Sequence, residues 1–341
     1  MAAHRSAADA GLPPSGLRYP SVHVTTVALI VRCFNEEAHI GRLLTGVARQ
    51  TRPPDRVVVV DSGSTDATVS IAQAFGAETV SIAPETFSFG HALNVGLRRS
   101  SDASLAVFAS AHVYPVYDTW LERLVAPLSD PAVALSYGRQ QTPPGGRFSE
   151  QRVLEHWFPA VSVPRQRHPF CSNANVAIRR EVWDELPYDE DLTGLEDLDW
   201  AKRALDRGRS LSYVAEAPVI HVHTESFAQV VNRYRREAIA HKQIYNEQHL
   251  GAARAAGLAV ANIAGDLHAA ARGRVPLGRL VDIPSFRIAQ FLGTYQGFAQ
   301  AGPITDVLRR RFYYPPTPGT TRAHSSPGQN LGSEIDYETH A

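Results

Sequence analysis

The sequence predicts an α/β protein with a mostly parallel central sheet flanked by helices and a helical C-terminal extension. Three observations predict it. Apolar, β-branched runs of strand length recur through the first two-thirds of the chain, stretches with helical spacing separate them, and from residue 227 onward the helical pattern continues without strands. Alternation at this spacing implies right-handed crossovers, and nearly continuous apolar strands imply a sheet covered by helices.

Residues 26–34 form an apolar run that stops at Asn35-Glu36-Glu37, and residues 37–50 then place Ile40, Leu43, Leu44 and Val47 at helical spacing. After Pro53-Pro54, a second run over 56–60 ends in the turn Asp61-Ser62-Gly63-Ser64-Thr65-Asp66. A helix over 67–75 stops at Gly76, and a short strand covers 78–82. Residues 90–99 form a helix and 104–109 a buried strand ending at Ser110-Ala111-His112. Asp118 is expected to cap a helix whose face includes Trp120, Leu121, Leu124 and Val125, and residues 132–138 form a strand. The polar stretch 140–167, broken by prolines and glycines, reads either as a flexible acceptor-side loop or as a surface insertion with no direct function. Residues 172–180 lead as a strand into 181–186. An acidic turn within 188–208 precedes a helix that stops at Gly208, and a strand over 212–223 leaves through His221 and His223.

Helices are then expected over 227–248, 252–272 and 277–298, the first interleaving Arg233, Arg235, Arg236 and Lys242 with Tyr234, Ile239, Ile244 and Tyr245. The resulting plan is a disordered leader over 1–24, an α/β domain over 25–226, a helical module over 227–313 and a flexible tail over 314–341, rich in Pro, Gly, Thr and Ser. The module serves core packing or homodimer contact, or peripheral attachment at a membrane beside a lipid-linked substrate.

Lys plus Arg and Asp plus Glu each number 34, so the formal charge is zero and nucleic acid is not an expected partner. Cys33 and Cys171 are too few and too far apart for a disulfide framework or a metal pair. The leader has no apolar stretch of signal-peptide type, and no later window reaches the roughly 18 apolar residues of a spanning helix. The expected location is therefore cytoplasmic, with peripheral contact at the inner face of the membrane as the alternative.

Chemistry enters at the strand ends. Asp61 and Asp66 bracket a Gly/Ser-rich turn where a parallel sheet can offer backbone donors and a carboxylate to a nucleotide's base or ribose, although the turn alone is equally an ordinary one. Together with Cys33-Phe34-Asn35-Glu36-Glu37 and the segment from Gly194 through Glu196-Asp197 to Arg203, the pattern over about residues 26–245 resembles the inverting family 2 glycosyltransferases with the GT-A nucleotide-sugar fold. It is also similar to bacterial transferases that use rhamnose or other sugars in polysaccharide and antibiotic assembly.

The resemblance implies transfer of a sugar from a nucleotide-diphosphate sugar donor to an acceptor hydroxyl, with residues 25–226 as the transferase domain. A retaining transferase and a noncatalytic nucleotide-sugar-binding assembly protein are the alternatives. The resemblance also places Arg32, Cys33, Phe34 and Glu36 around the nucleobase, Asp61 at the uracil or ribose, and Asn173 or Asn175 near the donor sugar; Asp66 organises the turn and caps the next helix. Glu196-Asp197 matches the family's catalytic acid pair. Inverting transfer needs a carboxylate that removes the acceptor proton as the hydroxyl attacks the anomeric carbon, a role assigned to Asp197 with Glu196 as the acceptor-binding or second candidate. Arg235, Arg236 and Lys242 supply positive charge to the diphosphate or form a solvated helix face. Neither cysteine has a base partner that would make it a nucleophile.

The family's metal-binding Asp-X-Asp is matched here by Ser110-Ala111-His112. With both carboxylates missing, Mg²⁺ or Mn²⁺ dependence is expected to be weak or replaced by preference for a softer divalent metal, because hard cations favour oxygen ligands. His221 and His223 alternate along their strand and point the same way, so that with His112 they are candidates for metal ligation, for direct phosphate contact or for structural roles at the strand ends.

Overall fold

The computed structural model describes residues 25–245, 249–301, 312–313 and 333–337; the expected leader and most of the expected tail lie outside the described residues. The first half of the sheet is built by β1 (Val27–Cys33), α1 (Ile40–Ala48), β2 (Arg56–Asp61), α2 (Thr68–Ala74), β3 (Glu78–Ser81), α3 (Phe89–Arg99) and β4 (Leu105–Ser110). The second half adds β5 (Val113–Pro115), α4 (Trp120–Val125), β6 (Val133–Gln141), α5 (Phe148–Trp157), β7 (Val163–Gln166), β8 (Asn175–Arg179), α6 (Arg180–Glu185), α7 (Glu196–Asp206) and β9 (Ser210–His221). The C-terminal extension is α8 (Phe227–Ile244), α9 (Ala252–Arg272) and α10 (Asp282–Ala299).

The strand order is β3-β2-β1-β4-β8-β6-β9-β5, with β7 beside β9. β1 to β4, β6 and β9 run one way, whereas β8, β5 and β7 are antiparallel to their neighbours, so the sheet is mixed and mostly parallel. Side chains alternate into two core layers, as the two-residue period of a strand requires. Leu29, Val31, Val59 and Val107 pack with α1 and α4 residues such as Leu43 and Leu121. Ile30, Val58, Val60 and Phe108 pack on the opposite face with Leu93 of α3 and Trp200 of α7.

Three local readings change. Asp118 does not cap α4; Thr119 holds that position without a side-chain bond, and the Asp118 carbonyl instead accepts from Thr51 N at 2.8 Å. Asp66 precedes the N-cap position of α2, which Ala67 holds without a side-chain bond, and its Oδ1 accepts from Thr68 N at 3.0 Å. The stretch 140–167 is neither simple loop nor simple insertion, since it carries the end of β6, all of α5 and β7. Phe148 on α5 packs against Ala270 and Ile283 of α9 and α10.

In the extension, buried Arg287 of α10 reaches Asp266 of α9 at 2.7 Å, and Ser149 of α5 donates to the same carboxylate at 2.6 Å. A buried pair held by this many partners is costly to break from one side. Gly293 and Gly297 let α10 approach α8 closely, because a Cβ there would overlap the Val231 carbonyl and the Arg235 carbonyl. Within the expected tail, Glu334 bridges Tyr117 and Tyr337 Oη donates to Pro115 O at 2.7 Å. Among the described residues no helix is long and apolar enough to cross a membrane.

Candidate active site

The carboxyl ends of β1, β2 and β4 meet at one edge of the sheet. There Asp61, buried at the end of β2, accepts from Gly63 N at 3.1 Å and Ser64 N at 3.0 Å, closing the Gly/Ser turn on itself. Gly63 has φ +94°, a conformation that favours glycine. Cys33 Sγ approaches Asp61 Oδ1 at 3.6 Å, and burial followed by the Asp61 charge pushes its thiol pKa up, so it is a packing residue rather than a thiolate. Asp66 Oδ2 accepts from Glu37 N at 3.1 Å and thereby fastens the β1–α1 loop to the turn.

Glu36, in the β1–α1 loop, places its Oε1 2.7 Å from His112 Nδ1. His112 joins β4 to β5, and β5 pairs antiparallel with β9 so that Val113 faces His221. This register brings His112, His221 and His223 together, with ring centroids 5.1, 5.9 and 4.0 Å apart. One nitrogen from each lies within 4.8 Å of the others.

Every Nδ1 of the trio has an oxygen partner, namely Glu36 Oε1 for His112, Gln140 Oε1 for His221 at 2.7 Å, and Glu150 Oε1 for His223 at 2.6 Å. Such partners fix the tautomer with Nδ1–H donating and leave the Nε2 lone pairs free. His221 Nε2 is buried with no hydrogen-bond partner. Burial, reinforced by the neighbouring histidines, drives the His221 pKa well down and keeps its ring neutral, while at His112 burial is outweighed by Glu36 and the pKa rises. An orphaned buried nitrogen and three oriented imidazoles fit a divalent transition metal in place of the carboxylate-bound ion of Asp-X-Asp.

The acid pair opens α7. Leu195, immediately before it, has φ +55°, a strained conformation for a leucine. Asn173 ties the pair together, donating Nδ2 to Glu196 Oε1 at 3.2 Å and its backbone N–H to Asp197 Oδ2 at 3.1 Å. Burial first and the Glu196 charge second push the Asp197 pKa up to about 7. Cys171 donates to the Asp197 carbonyl at 3.4 Å and, held protonated by burial, is no nucleophile.

Asn175 is fully buried, donates to Ala217 O and Arg139 O and accepts from Trp120 Nε1, so no atom of its amide is left for a sugar. Two of the three arginines of α8 diverge: Arg235 donates to Gln300 at 2.7 Å, whereas Arg236 lies over Phe89, 4.6 Å from the ring centroid. Lys242 donates to the Phe298 and Gln300 carbonyls. Glu150, Gln140 and Phe89 were not singled out from sequence. For Glu150 the available signal was the helical spacing of Phe148 and Leu154 around it, hidden by the flanking prolines and glycines.

The Glycosyl transferase family 2 model matches residues 28–186. The chain is a glycosyltransferase of GT-A fold, similar over those residues to family 2. Its relatives include the O-antigen chain rhamnosyltransferase RfbN of Salmonella typhimurium, 26% identical over 226 residues that cover 63% of this chain and 72% of that protein. The glycosyltransferase AglE of Haloferax volcanii is 29% identical over 243 residues, covering 69% and 79% respectively. Among solved structures, the mannosyltransferase PcManGT from Pyrobaculum calidifontis in complex with GDP-Man and Mn²⁺ shares the fold at TM-score 0.54 and 19% identity, over 84% of this chain and 87% of that one. The family match ends before α7 and β9, so in this glycosyltransferase the acid pair, His221 and His223 stand on geometry.

Proposed function

We propose that this glycosyltransferase moves its sugar with inversion, using Asp197 as the base, to an acceptor in polysaccharide, glycoconjugate or natural-product assembly. The observation that carries the reading is the Asn173-held pair of carboxyls, one of them raised to about 7 and so matched to taking a proton near neutrality. As the acceptor oxygen forms its bond to the anomeric carbon, its proton passes to Asp197 and the bond to the nucleoside diphosphate breaks. Glu196, 3.6 Å from Arg32, stays the more strongly paired partner and orients the acceptor.

The turn held by Asp61 and the Cys33–Phe34 end of β1 form the nucleoside side of the site. His112, His221 and His223 would hold a divalent transition metal, whose charge would oppose that developing on the leaving diphosphate. The rhamnosyltransferase among the relatives, and the GDP-Man and Mn²⁺ in complex with PcManGT, support this donor class. Thermal-shift and calorimetric screening of uridine, thymidine and guanosine diphosphate sugars identifies the donor, and NMR of the product anomer tests inversion. Retained configuration in the product removes Asp197 from the base role.

A further inference from the structure

Among the described residues, two guanidinium groups beside the acid pair lack a hydrogen-bonded counter-ion. Arg32, at the end of β1, and Arg236, on α8, lie over the ring of Phe89 at 4.4 and 4.6 Å from its centroid. Arg32 Nη1 is buried without a hydrogen-bond partner, its nearest carboxylate oxygen being Glu196 Oε1 at 3.6 Å. Arg236 Nε is likewise buried and unpartnered, and burial lowers its pKa despite the nearby Glu237, Tyr313 and Glu196. Arg233 and Arg235 share the buried Nε without a bond, but their terminal nitrogens are engaged, Arg233 with Glu225 at 2.8 Å and Arg235 with Gln300.

The arrangement is built. Gly194 packs against the Arg236 side chain, whose Nε would lie 3.4 Å, an ordinary contact distance, from a Cβ at that position. Thr193 Oγ1 donates to the Arg236 carbonyl at 3.1 Å, pinning α8 to the loop that leads into Glu196. Strand alternation then separates this place from the nucleoside side. Cys33 turns toward Asp61, whereas Arg32, one residue earlier, turns to the opposite face, toward Phe89 and Glu196. Guanidinium nitrogens buried with open donors are costly unless an oxyanion completes them, and a planar fork on an aromatic ring suits phosphate or carboxylate.

We propose that Arg32 and Arg236 receive an anionic group, phosphate or carboxylate, carried by the acceptor, and so present the acceptor hydroxyl to Asp197. This rests on the reading of Asp197 as the acceptor base. The anion of a bound substrate has two sources, the donor diphosphate and the acceptor, and competition distinguishes them.

The test uses the full chain and inorganic phosphate as probe, followed by ³¹P NMR with and without a saturating nucleoside diphosphate chosen by calorimetry. The expected result is that phosphate binds alongside the nucleotide. Arg32→Met and Arg236→Met should each weaken phosphate about tenfold or more, the loss of a charge-assisted bond, while nucleotide affinity changes less than about threefold. Arg236→Lys, which keeps the charge but not the fork, should recover part of the loss, and unchanged thermal melting shows that the variants are folded. Displacement of phosphate by the nucleotide would overturn the assignment by making the pair a donor-diphosphate site. Equal phosphate binding in wild type and variants would overturn it by placing the ion elsewhere. A wild-type chain that binds no nucleoside diphosphate would instead remove the glycosyl-transfer reading first and the acceptor assignment with it.

Discussion

Asp197 must be ionised to take a proton, yet burial and Glu196 oppose its ionisation, and the balance is a pKa of about 7 against an ordinary value of 3.8. Turnover should therefore rise about tenfold per pH unit below about 7 and level above it, and Asp197→Asn should cost about 10²-fold or more in turnover with nucleotide affinity kept. A flat pH profile, or near-normal turnover of the variant, excludes Asp197 as base. The same shift predicts a stability effect. Because the folded pKa is raised, the stabilisation from protonation is full below 3.8 and lost as pH rises through about 7. Asp197→Asn cannot ionise, so its melting temperature should gain on wild type between pH 4 and pH 8; a constant difference across that range would contradict the buried, raised carboxyl. Asp61 acts differently, since its oxygens hold the turn. Asp61→Ala should lose about 1–3 kcal/mol in chemical denaturation along with nucleotide affinity, and an unchanged denaturation midpoint would show that the turn holds without it.

At the scale of elements, the β5–β9 pairing and the α8–α10 contact each deliver residues to the site. The first aligns Val113 with His221 and so sets His112 beside His221, and the second presses α8, with Arg233 and Arg236, against the loop before α7. Gly297→Leu should force α10 off α8 and cost about 1–3 kcal/mol in urea unfolding, the usual cost of overpacking. Unaltered stability would mean that the two helices are not held at that contact. The extension predicted as a separate helical module is thus physically continuous with the site through α8, while α5 ties it to the sheet through Ser149, Asp266 and Glu150.

For the whole molecule, a metal bound only by the folded chain adds stability by mass action, about 2.7 kcal/mol at a hundred times its dissociation constant. Chelator-stripped protein should melt lower and recover with Zn²⁺, Co²⁺ or Mn²⁺ more than with Mg²⁺, and His223→Ala should lose that response. Equal recovery with Mg²⁺ in wild type and variant would point to carboxylate rather than imidazole ligands. Much of this was legible beforehand. Most strands and helices between β1 and α10 followed in order, because hydrophobic periodicity is local and burial on one or both faces dictates it, whereas the short β5 and the α5 and β7 inside the polar stretch 140–167 carried no such signal. The meeting of the three histidines was also readable, since strand-end positions project side chains to the same sheet edge, whereas the Glu196-Asp197 pair was singled out only through the family resemblance. Only the tertiary structure decided their partners. Glu36, Gln140 and Glu150 come from a loop, a strand end and a helix far apart in the chain, Asn175 was taken into the core by Trp120, and Arg235 and Arg236 were sent apart. Such pairings depend on strand register and helix approach, which no local pattern of residue types encodes.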